Sequence, residues 1–270
     1  MTTTVLPCPD RSLSDASDCS SRTDHLLPTQ WAETLKNNLT TLNQKERFLL
    51  VAEVIGTPSS LALSDRFVAK LTHSLSTCGI HLSQSLPPLF VGIDYHFDWM
   101  YAALELSWQG QDIKHLYQYP TATPLKPLPN KNRLISGNQE DADLLIVCTD
   151  VGEQPKTYFI LIEAKGVGRW STKQLRSKAR RIRSLFGPPH AWSSHVQPVI
   201  VLAGPRMPGS TTSLDDPAGV YDIPICALEL SLPKPLAKVT RCNGDGRQSV
   251  EGGHWKVQYR RRLPFSTDHD

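Results

Sequence analysis

Two apolar runs separated by a short polar segment constrain this chain more than any other feature. DLLIVCT (143–149) and TYFILIEA (157–164) are joined by DVGEQPK, which carries Gly and Pro. Runs of this length and composition around such a segment read as the two strands of a β-hairpin. Neither run alternates apolar with polar residues, so the sheet they enter is expected to be covered on both faces. Charge is confined to the rims: Asp143 opens the first run, and Glu163 and Lys165 close the second. Residues two apart on a strand share a face. In an antiparallel hairpin the start of one strand lies beside the end of the other. Asp143, Glu163 and Lys165 are therefore expected at one edge of one buried sheet.

The surrounding pattern is mixed. QKERFLLVAEVIG places Phe48, Leu49, Ala52 and Ile55 at helical spacing with Gly56 as the stop, and LSDRFVAKLTHSL repeats Phe67, Leu71 and Leu75 behind a capping Ser64. In LFVGIDYHFDWMYAALELSW the second half reads as a helix with Phe97, Met100, Ala103, Leu104 and Trp108 along one side. The long segment 109–139 is expected to hide a short strand, NRLIS first and DIKHLY second. STKQLRSKARRIRSLFG is a helix with Ser171 as N-cap, Gln174 three residues on, and an apolar stripe of Leu175, Ala179, Ile182 and Phe186. PVIVLAG is a further buried strand. The order helix, strand, strand, helix, strand gives an α/β sandwich. LAKVTRC and HWKVQYRRRL, around NGDGRQSVEGG, read as a C-terminal β-hairpin.

At 270 residues and a formal net charge of +3, the chain suits one large domain or two small ones, and its net charge selects no partner. Residues 1–29 are rich in Ser, Thr, Asp and Pro without apolar periodicity, and read as a disordered tail. Residues 30–88 form a helical N-terminal region, 89–210 the α/β core, and 211–270 a C-terminal extension. Cys8, Cys19, Cys78, Cys148, Cys226 and Cys242 make no C-x-x-C pair, which excludes a zinc ribbon or dithiol redox motif. Neither a secretory leader nor a membrane-length apolar run is present, so a reduced, cytoplasmic protein with no membrane association is expected. Cys148, inside an apolar run, reads as a small core residue.

Two carboxylates brought together repel unless positive charge lies between them. A hard divalent cation, Mg²⁺ or Mn²⁺, suits oxygen donors, and a neighbouring lysine can orient the attacking water and steady phosphate charge. The pattern D-(x19)-E-x-K, with its Asp opening one strand, its E-x-K closing the next and a helix following, resembles the PD-(D/E)XK nucleases. The resemblance covers about the middle quarter of the chain, residues 140–204, plus the helix before it. It implies a restriction-endonuclease-like three-layer core, a mixed sheet flanked by helices, with Asp143, Glu163 and Lys165 as the catalytic set and Mg²⁺ as cofactor on Asp143 and Glu163. Many members add an acidic ligand from the first core helix. Asp98 is preferred here over Glu105 and Glu53, its rival role being to cap that helix. Many also carry Gln followed by Lys or Tyr four residues on, matched by Gln174 and Lys178. Ala142 stands where the family's proline would.

From Lys165 to Phe186 there are eight basic residues and no acidic one. Arg169, Lys173, Gln174, Lys178 and Arg181 are the expected contacts to nucleic acid, with DNA preferred over RNA. In the tail Lys256, Arg260, Arg261 and Arg262 accompany Trp255 and Tyr259, a second basic and aromatic stretch. Three functions stay open: a metal-dependent nuclease; a nuclease-fold protein that binds nucleic acid or serves as an assembly subunit without cleaving; and a metal-free interaction protein in which Lys165 pairs with a rim carboxylate. The N-terminal helices could be a homodimer interface, a substrate clamp or part of the core.

Overall fold

The computed structural model describes residues 28–56, 61–82, 88–114, 127–130, 133–137, 140–150, 156–166, 172–187, 195–205, 223–230 and 237–259. Its centre is a five-stranded sheet, ordered β1 (Phe90–His96), β2 (Asp141–Asp150), β3 (Lys156–Ala164), β4 (Val196–Gly204) and β5 (Ile225–Glu229). β1–β2 and β2–β3 pair antiparallel, whereas β3–β4 and β4–β5 pair parallel. Strand β3 is thus both the middle strand and the point where the sheet changes direction.

The alternation of side chains along each strand sorts the core into two layers. Leu145, Val147, Phe159, Leu161, Ile200 and Leu202 face one side, where they meet α1 (Pro28–Leu42), α4 (Phe97–Trp108) and α5 (Thr172–Phe186). Ile146, Cys148, Ile160, Ile162, Val199 and Val201 face the other, against Leu71 and Leu75 of α3 (Asp65–Thr77). Both faces are covered, as the unbroken apolar runs require. On the first face Asn38 ties α1 to α4, donating to Ser107 Oγ at 3.0 Å and to the Gln111 carbonyl at 2.8 Å while accepting from the Ile113 amide at 2.9 Å. Tyr95 donates its hydroxyl to the Leu39 carbonyl at 2.9 Å. The first N-terminal helix is therefore part of the core.

Several sequence expectations hold. Ser64 accepts from the Phe67 amide at 3.3 Å and so caps α3, and Gly56 ends α2 (Glu46–Ile55) with φ 72°, a conformation that costs glycine little. Leu175, Ala179, Ile182 and Phe186 are all buried. Others need correcting. NRLIS forms no strand among its described residues: Arg133 has φ 52°, and Asn130 holds the segment by exchanging two hydrogen bonds with the Ile135 backbone. In DIKHLY the described residues 112–114 form no strand either, and 115–117 lie outside the described residues. The extra strand comes instead from Phe90–His96, directly before α4. A fifth strand at Ile225–Glu229 carries the sheet past residue 210, where the core was expected to end. Leu49, read as part of the helical stripe of α2, is half exposed, whereas Phe48 and Ala52 are buried. Ser171 and Arg169 lie outside the described residues, as do residues 1–27 of the expected disordered tail.

The C-terminal hairpin forms as expected from β6 (Ala237–Cys242) and β7 (His254–Tyr259), a separate two-stranded antiparallel sheet. Residues 243–253 fold back on it. A Cβ on Gly252 would lie 2.1 Å from the Cys242 carbonyl oxygen, so only glycine permits this approach. Among the described residues no helix is long and apolar enough to cross a membrane.

Candidate functional site

The β2–β3 register pairs Leu144 with Ile162, and continuing it by one residue sets Asp143 opposite Glu163. Both follow the parity of Leu145, Val147, Phe159 and Leu161, so both belong to the face covered by α4 and α5. Asp143 Oδ2 accepts from the Ala164 amide at 2.7 Å, which clips the opening of β2 to the end of β3. Lys165 follows at once, its backbone amide held by the Ala203 carbonyl of β4 at 2.9 Å. The three residues singled out by spacing are thus gathered at one rim.

Helix α5 crosses over that rim and supplies a fourth group. Lys178 pairs with Glu163 Oε1, and also donates to the Asp141 carbonyl at 2.7 Å. Its ammonium lies 5.9 Å from the centre of the Phe97 ring. One turn later Arg181 pairs with Asp98 and donates to the Leu134 carbonyl. Asp98 also accepts from the backbone amides of Ser136 at 3.0 Å and Gly137 at 2.7 Å. Its carboxylate therefore anchors the 133–137 segment to α4 and α5, while the N-cap position of α4 falls to His96. Lys178 and Arg181, expected as contacts to nucleic acid, are here paired with Glu163 and Asp98, carboxylates whose burial without a partner would cost about 3–5 kcal/mol. Lys173 and Gln174, by contrast, are exposed on α5.

Burial pushes the Glu163 carboxyl above the ordinary glutamate range, Lys178 pulls it back by hydrogen bond and charge, Asp143 raises it and Lys165 lowers it. Glu140, half-buried just before β2, is also raised by burial, with Lys178 and Arg181 opposing and Asp141 adding to the rise. Asp141 is the first residue of β2, opposite His96, and forms an ion pair with Lys45 at 3.3 Å. His96 stacks edge-on against Trp99, with ring centres 4.4 Å apart.

Among the described residues, no cluster of three or more His, Cys, Asp and Glu side chains is suited to hold a metal. Asp143 and Glu163 still offer a pair of hard oxygen donors. Asp143 accepts through Oδ2 and Glu163 through Oε1, leaving one oxygen of each without a partner among the described residues. Such a pair fits a Mg²⁺ that keeps most of its water.

Sequence reasoning missed two groups here. Lys178 was read toward substrate, although it flanks the buried stripe Leu175–Ala179–Ile182 and a three-layer fold lays that stripe on β3. Glu140 carried no signal, since it lies outside the strand pattern. No family model, curated protein or solved structure matches this chain.

Proposed function

We propose that this protein is a divalent-metal-dependent nuclease of the PD-(D/E)XK kind, with a restriction-endonuclease-like core, hydrolysing phosphodiester bonds in DNA. The observation that carries the reading is the meeting of Asp143 and Glu163 on one sheet face, with Lys165 next in line on the same strand end. Asp143 and Glu163 would hold Mg²⁺ or Mn²⁺, which when bound supplies Lewis acidity toward phosphate and its attacking water. Lys165 orients that water and balances charge growing on the phosphate. Lys178 opposes the rise that burial gives the Glu163 carboxyl, and Arg181 with Asp98 fixes the helix that carries Lys178. Lys173 and Gln174, exposed on the same helix, are placed to meet a strand of nucleic acid.

The test is cleavage of plasmid and single-stranded DNA by the full chain in Mg²⁺ or Mn²⁺. Wild type is expected to cut, chelator to abolish cutting, and Lys165→Ala or Asp143→Asn to lose at least about 100-fold. Absence of cleavage with either metal overturns the reading. A second reading, a non-cleaving nucleic-acid-binding or assembly protein, is favoured by one observation: Lys178 already supplies the cation that Glu163 needs. It expects unchanged DNA binding in all these variants and no metal-dependent product.

A further inference from the structure

The two faces of the β6–β7 hairpin are treated differently. Thr240 and Cys242 are buried on one face, where residues 243–253 lie over them, and Lys256 of that face donates to the Gly246 carbonyl in this turn. The other face holds Val239 opposite Val257 and Arg241 opposite Trp255. All four are exposed, Trp255 at 69% and Val239 at 66%. Arg241 donates its Nε–H to the Gly252 carbonyl, which fixes its guanidinium on the strand next to the indole. The covered face and its turn thus act as a backing that holds an indole, a guanidinium and two small apolar side chains out to solvent.

Charge selects what such a surface can meet. Residues 237–262 carry seven basic and two acidic residues, a net +5 in a chain whose total is +3. Everything outside the segment is therefore net acidic. A segment with this excess of positive charge favours an acidic partner over a second copy of itself. Aromatic rings set among cations are how proteins hold unpaired bases, the ring stacking on the base and the cations on the backbone. A duplex keeps its base faces closed to such a ring.

We propose that the β6–β7 hairpin is a binding arm for single-stranded nucleic acid, with Trp255 as the base-stacking platform and the guanidinium of Arg241, its cross-strand partner, as the phosphate contact. The proposal deepens the nucleic-acid reading above by naming the strand form. It is tested without cleavage, so the two can fail separately.

The experiment measures fluorescence anisotropy of a labelled twelve-nucleotide oligo-dT, and of a duplex of the same length, with full-length protein in chelator. Wild type is expected to prefer the single strand and to weaken as salt rises. Trp255→Ala should lose about tenfold in affinity, the scale of one lost stack. Trp255→Phe should stay within about threefold of wild type, since it keeps a ring on the same strand. Three results would overturn the proposal. One is equal binding by Trp255→Ala and wild type. Another is Trp255→Phe as weak as Trp255→Ala, which marks a merely structural indole. The third is tighter binding to the duplex, or to anionic phospholipid vesicles that the oligonucleotide does not compete away. If oligo-dT binding passes while metal-dependent cleavage is absent, the arm stands and the nuclease reading falls.

Discussion

The sheet rim and the C-terminal hairpin are both dense in charge, but they dispose of it in opposite ways. At the rim, three cations are each paired with a carboxylate: Lys178 with Glu163, Arg181 with Asp98, Lys45 with Asp141. These side chains are mostly withdrawn from water. On the hairpin, Arg247 pairs with Asp245 at 3.5 Å in the exposed turn, and positive charge is left in excess beside an exposed indole. Paired, buried charge fixes the geometry of the groups around it, because breaking a pair leaves the survivor stranded in low dielectric. Unpaired, solvated charge adds little to stability and attracts what carries the opposite sign. The same residue types thus make a positioned site in one region and a reception surface in the other.

The contrast can be broken by substitution. The largest effect is expected beneath the rim. Phe159 is fully buried on β3, edge-on to Phe186 at 5.4 Å, and Phe159→Ala should cost about 4 kcal/mol in urea unfolding. Lys178→Met comes next, at about 3 kcal/mol, because it strands Glu163. Adding Glu163→Gln to that variant should recover much of the loss, and a double-mutant cycle showing no coupling would contradict the internal counter-ion role.

A smaller effect is expected in the pH dependence of melting. The folded state raises the proton affinity of Glu163, so it binds more protons than the unfolded chain between the ordinary glutamate pKa and the raised folded one. Stability from this group is present below the unfolded pKa and lost as pH rises through the folded pKa. Glu163→Gln should flatten that descent. Glu140 titrates in the same direction and should leave a residual slope. The smallest effect belongs to the hairpin: Val239→Ala, at a position two-thirds exposed, should change unfolding free energy by less than about 0.5 kcal/mol. A cost comparable to that of Phe159→Ala would mean that the exposed face is covered in solution.

What the sequence made legible was set by local physics. The hairpin of Asp141–Asp150 and Lys156–Ala164, the stripe of α5 and the Ser64 cap each arise from residues close in the chain, so periodicity and spacing suffice to find them. Asp143, Glu163 and Lys165 could be brought together for the same reason, since a hairpin is the shortest route from one rim to its neighbour. Groups joined by the tertiary fold were harder. β5 is a short parallel strand whose partner lies across a long connection, and the five residues of ICALE are too few for periodicity to tell a buried strand from any other short apolar run. β1 merges with the helix that follows it without a break, and within it Asp94 has φ 49°, a conformation that strand periodicity does not announce. The pairing of Lys178 with Glu163 depends on how α5 lies across the sheet, which no periodicity specifies.

Strand β3 carries Glu163 at its end and Lys165 just beyond, and it is the middle one of five. Amide hydrogens in such a strand exchange with solvent only when the whole sheet opens, because neighbours on both sides must separate first. The backbone that presents these two side chains therefore shares the slowest exchange in the molecule, and the amide of Lys165, bonded to Ala203, closes that protected run. Fraying at either edge of the sheet can come and go without disturbing the spacing between the glutamate and the lysine. Warming the protein should leave that spacing intact until cooperative unfolding removes it all at once.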